Sequence, residues 1–143
     1  MKAVLTHLSS TLSQCAVPLY LDPVKAGFPS PARDYIDQPL DFNALMIRRP
    51  ASTFALRAEG ESMVDIGIGN GDILVVDRAI EPRHGHIVIA AVDGEFVVKQ
   101  LETRPQLRLM SMSRNYPDIV LREGQELNVF GVVTYCIKQL AEG

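Results

Sequence analysis

From about residue 52 onward, apolar residues come in short runs that alternate or cluster, the texture of β-strands rather than helices. Thr53 to Ala58 and Ile73 to Asp77 are two such runs. His86 to Val92 and Glu95 to Leu101 are separated by Asp93-Gly94 alone, the pair that a tight hairpin favours because both turn residues take positive φ. Gln106 to Met112 alternates, and Leu127 to Lys138 is a long last segment with a break expected at Gly131. Helical period is nearly absent, apart from a turn after Ser62 and a weak helical pattern over residues 3–15. The pattern predicts a mainly β domain of short strands and tight turns.

The first forty residues read differently. They hold five of the nine prolines, Pro18, Pro23, Pro29, Pro31 and Pro39, a spacing that interrupts helix and central strand alike. The expectation is an extended N-terminal arm over residues 1–40, followed by one compact domain over 41–143. A small-residue pair, Ala26-Gly27, sits in the middle of the arm's Pro23-to-Pro29 stretch.

Composition narrows the class of protein. Apolar residues make up 47% of the 143 residues, enough to build a core. Net charge is −3, and Arg48-Arg49 is the densest basic pair, so no basic stripe for sequence-specific DNA binding is expected. Cys15 and Cys136 do not make a disulfide framework and read as free thiols of a reducing compartment. No apolar run approaches the roughly 20 residues of a membrane span. Gln14 stands before Cys15 where a lipoprotein signal needs a small residue. A cytoplasmic protein without a membrane anchor is expected.

Three groups of residues bear on chemistry. Ser62 lies in Gly60-Glu61-Ser62-Met63, where a strand gives way to a turn. A serine there either caps a helical turn or presents its hydroxyl as a nucleophile among backbone N–H groups. On the hairpin's second strand Glu95, Val97, Lys99 and Leu101 share one face, so Lys99 has apolar neighbours on both sides. Such a lysine either extends its amine out to water or keeps it buried and neutral, able to act as a base. His84 and His86 flank Gly85 with no third ligand in reach and read as turn residues. No His-based triad, zinc motif or phosphate-binding loop is present, and no cofactor or metal is expected.

Taken together, these segments resemble the LexA/UmuD family of self-cleaving peptidases, most closely its UmuD-like branch. The resemblance is carried by Ala26-Gly27-Phe28-Pro29, Gly60-Glu61-Ser62-Met63, Gly71 to Asp77, His86 to Phe96, Val98-Lys99 and Val129 to Val133, in the family's order and spacing. It implies the family's compact β fold of short strands with an extended arm. Ser62 matches the nucleophile, Lys99 the general base, Ala26 and Gly27 the bond cut, and the amides of Glu61 and Ser62 the oxyanion donors.

The resemblance also implies a homodimer, for which Leu127 to Lys138 is a candidate edge. It implies activation by a RecA filament on single-stranded DNA, and service to a UmuC-like Y-family polymerase in mutagenic repair. A length of 143 residues leaves no room for the DNA-binding domain of the family's repressors. The chain departs from the family at Leu109 to Tyr116, where Ser111 and Ser113 stand in place of a proline and an asparagine. Two rival readings remain: a Ser–Lys protease acting on other chains, and a catalytically idle binding module.

Overall fold

The structure is a computed structural model that describes residues 2–6, 15–20 and 39–143. The chain divides into two units, Met1–Ser9 with Arg49–Gly143, and Ser10–Arg48. In the smaller unit, β2 (Ala16–Val17) pairs antiparallel with β3 (Leu40–Asp41), and α1 (Phe42–Met46) follows. The Asp41 carboxylate caps α1 by accepting from the Asn43 N–H at 2.9 Å.

The larger unit is mainly β, as the hydrophobic pattern predicts. Its strands are β1 (Lys2–Thr6), β4 (Thr53–Glu59), β5 (Ile73–Asp77), β6 (Ile87–Val92), β7 (Glu95–Glu102), β8 (Arg108–Met110), β9 (Ile119–Val120) and β10 (Asn128–Ile137). They form one antiparallel sheet in the order β1-β4-β5-β10-β6-β7-β8-β9. Lys2 also bridges Val97, so the sheet curls until β7 meets β1. Among the described residues no helix is long and apolar enough to cross a membrane.

Alternation along β7 sends its side chains into two cores. Val98 packs with Leu56, Met63, Leu74 and Ile89. Leu101, on the opposite face, packs with Val88, Leu109 and Val132. The β6–β7 hairpin turns at Asp93 and Gly94, with φ of 50° and 80°, the left-handed pair that matches strand twist.

Two expectations are corrected. Residues 2–6, where the sequence has weak helical character, form β1, because its backbone pairs with β4 from Lys2↔Glu59 to Thr6↔Ala55. Sheet pairing of this kind overrides a weak local preference. Gly131 does not break the last segment. β10 runs through it with a bulge, slipping register against β6 between Val129 and Gly131. A Cβ at Gly131 would stand 2.6 Å from Val76 Cγ1 and 3.3 Å from the Asp77 carbonyl, so close approach explains the glycine. In β10, β6 pairs with Asn128–Val132 and β5 with Val132–Ile137. Each half of β10 leaves only one side open.

Candidate active site

The segment between β4 and β5 is built to hold Ser62 still. Its base is closed by Ala58 N donating to Asp72 O and Gly71 N donating to Ala58 O, both at 2.8 Å. Gly60 takes φ of 98° and donates its N–H to the Asn70 side chain at 2.9 Å. The far end is pinned by the Asp72 carboxylate, which accepts from Gly69 N at 2.7 Å and from Lys138 Nζ at 2.6 Å. Burial alone would raise the Asp72 carboxyl, but Lys138, Gly69 N–H and the Cys136 thiol together hold it below its usual range. Met63 is fully buried in the first core and anchors the middle. A single 3-10 turn, Val64–Ile66, follows, and its N-cap is Met63 without a side-chain cap. Ser62 is therefore not the cap of that turn; it lies beside the Met63 anchor at 0% exposure.

Lys99 sits at 6% exposure on β7, opposite Val88 of β6 in register. It does not extend out to water. Its Nζ donates to Ser111 Oγ at 2.7 Å, and Ser111 Oγ donates to the Pro117 carbonyl at 3.0 Å. Burial pushes the Lys99 amine below its ordinary value of 10.5, and the nearby Asp118 carboxylate opposes that shift. Asp118 Oδ1 accepts from Ser111 N at 2.9 Å, and Asp118 Oδ2 lies 4.0 Å from Arg108. Arg108 is itself paired with Glu102 at 2.9 Å.

Ser62 and Lys99 meet the same dipeptide. Met112 N donates to Ser62 O at 2.7 Å, and Asp65 N donates to Met112 O at 2.8 Å. Lys99 reaches Ser111, the residue before it. Two elements far apart in sequence are thus fastened to adjacent residues of the strand end after β8. Glu61, exposed, precedes Ser62, and its carbonyl accepts from Val64 N at 3.4 Å. Ala26 and Gly27 lie outside the described residues.

His84 and His86 are used structurally. His84 Nδ1 accepts from Thr103 N at 3.0 Å and His86 Nδ1 accepts from Arg83 N at 3.1 Å. Cys15 and Cys136 are free thiols. The contributor not singled out in sequence as part of the site is Ser111. It was visible there only as a departure from a family motif, though Leu107, Leu109 and Ser111 alternate onto one face and put a hydroxyl where an apolar residue is expected.

A desolvated amine has chemistry to offer. An ammonium presents three donors, whereas the neutral amine presents two and a lone pair. Among the described residues the one hydrogen-bond acceptor for Lys99 Nζ is Ser111 Oγ, an environment that suits the neutral, basic form.

Known proteins similar to this chain show its family. Protein ImpA of Salmonella typhimurium is 52% identical over 125 residues, 87% of this chain and 86% of the relative. Protein MucA of Escherichia coli is 41% identical over 123 residues, 85% and 84% of the two chains. The LexA repressor of Shewanella sediminis is 31% identical over 136 residues, 94% of this chain but 65% of the repressor. Residues 18–134 match the family described as Peptidase S24-like. The chain belongs to that peptidase family, in its LexA/UmuD type.

Proposed function

We propose that the protein cuts its own chain between Ala26 and Gly27, with Ser62 as nucleophile and Lys99 as general base. The observation that carries this reading is the buried Lys99 amine, fastened to Ser111 beside the Met112 amide that holds Ser62, in a chain of a peptidase family.

Neutral Lys99 takes the proton of Ser62 Oγ as that oxygen bonds to the Ala26 carbonyl carbon. The oxyanion rests on the amides of Glu61 and Ser62. The Ala26–Gly27 bond then breaks, and the Gly27 nitrogen leaves with the proton from Lys99. Water, deprotonated by Lys99, hydrolyses the Ser62 ester. The substrate bond is tethered, so the rate is set by how often the arm occupies the productive pose and how often Lys99 is neutral.

The trimmed protein would serve as a homodimeric accessory subunit of an error-prone translesion polymerase of the UmuC type in the cytoplasm. An activated RecA filament on single-stranded DNA would favour the cleavable state. Similarity to MucA and ImpA supports this assignment. The test is the cleavage rate against pH. The rate should rise as Lys99 loses its proton and level off above its midpoint, and RecA filaments should raise it further at neutral pH. A rate flat from pH 6 to about 10 would rule out a lysine base.

A further inference from the structure

We propose that the Ser111 hydroxyl is a positioning residue that orients the Lys99 amine toward Ser62. This deepens the Ser62–Lys99 reading and rests on it.

A serine hydroxyl has one hydrogen and two lone pairs. The Ser111 hydrogen is committed to the Pro117 carbonyl at 3.0 Å, so the side turned to Lys99, 2.7 Å away, is an acceptor. Ser111 is itself held by its backbone, whose N–H bonds Asp118 Oδ1 at 2.9 Å. It is an acceptor held by two hydrogen bonds in a buried position. Lysine is a flexible side chain with about 2 kcal/mol of rotamer entropy, so an amine held by packing alone would sample several directions. The bond to Ser111 removes one N–H from that freedom, which points the lone pair of the neutral amine elsewhere in the site. The next residue, Met112, donates its N–H to the Ser62 carbonyl. One rigid dipeptide therefore sets the relative register of base and nucleophile.

The charged groups around the amine are few. Asp118 faces it from the turn before β9, Arg108 on β8 lies 4.0 Å from Asp118 and is paired with Glu102 on β7, and β6 contributes Val88. Ser111→Ala keeps the backbone N–H that binds Asp118, so it removes the hydroxyl without releasing that carboxylate. A small misplacement of a catalytic group can cost roughly a hundredfold in rate. An acceptor also favours the charged amine, so its loss moves the Lys99 midpoint to lower pH.

The experiment has two arms on the full chain. In a Ser62→Ala background, which stops cleavage, the Lys99 midpoint is followed by NMR of labelled lysine with and without Ser111→Ala. In the active chain, the plateau cleavage rate above that midpoint is measured for Ser111→Ala, Ser111→Thr and Ser113→Ala, corrected for folded fraction by thermal melts. Expected are a lower midpoint and a plateau reduced about 10- to 100-fold for Ser111→Ala. Ser111→Thr, which keeps the hydroxyl, should restore both, and Ser113→Ala should change neither. An unchanged midpoint and plateau in Ser111→Ala would overturn the positioning role while leaving the Ser–Lys reading intact. Undiminished cleavage in Lys99→Ala would overturn that reading and this inference with it.

Discussion

Replacing Lys99 with methionine should make the protein more stable at neutral pH while removing the proposed base. The methionine fills the same space, and Ser111 keeps its bond to the Pro117 carbonyl. The charged amine has one acceptor for three donors among the described residues. Two unmet buried donors cost about 1–3 kcal/mol each, against about 1.5–3 kcal/mol for one bond from a charged group. Asp118 offsets part of the cost. The net expectation is a gain of about 1–2 kcal/mol for Lys99→Met at pH 7.

The gain should depend on pH in a definite direction. The folded amine is depressed below 10.5 and the unfolded one is not. Between those two values the unfolded chain binds more protons, so wild-type stability rises with pH. The advantage of Lys99→Met should therefore shrink as pH climbs through the folded midpoint, and stop changing above 10.5. Urea unfolding of both proteins from pH 6 to about 11, in a Ser62→Ala background to prevent cleavage, measures this. If the difference stayed constant over that range, the amine would not be desolvated and the argument for a neutral base would fail.

Other outcomes follow from the same contacts. Gly131→Ala drives a methyl against fully buried Val76 and the Asp77 backbone, and should destabilise the protein by about 1–3 kcal/mol in chemical denaturation. Asp72→Ala strips the acceptor from Gly69 N–H and Lys138, and should cost about 1–3 kcal/mol and loosen the Ser62 segment, read as faster amide exchange at Gly69. The Asp72 carboxyl is held low in the folded state, so its contribution is present above about 3.8 and should be lost as pH falls through the folded value. If the cut falls at Ala26–Gly27 as proposed, Gly27→Glu should block it by bulk, read as loss of the new N-terminus in mass spectrometry.

Much of this architecture is legible along the chain because its signals are local. The apolar run Ile73 to Asp77, the alternation of Glu95 to Leu101 and the Asp93-Gly94 turn locate β5, β7 and the β6–β7 hairpin within a residue or so. Lys99 stands out because its neighbours on its own strand face, Val97 and Leu101, are apolar. What stays hidden is set by distant partners. β1 forms because β4 is there to pair with it, which residues 3–15 alone do not reveal. The interior place of β10 depends on β5 and β6 flanking it, and a long β segment gives no sign of whether it lies at an edge. The role of Ser111 requires a residue twelve positions away to reach it. Its hydroxyl among alternating leucines marks a buried polar group without naming the group it serves.

The central claim is that Ser62 and Lys99 together sever the bond before Gly27. Intact-mass spectrometry of the purified chain after incubation at alkaline pH, beside Ser62→Ala and Lys99→Ala, tests it most directly. Wild type should yield a 26-residue peptide and a body beginning at Gly27, and both variants should stay whole while melting as folded proteins. The same new N-terminus appearing in either variant at the wild-type rate would contradict the account.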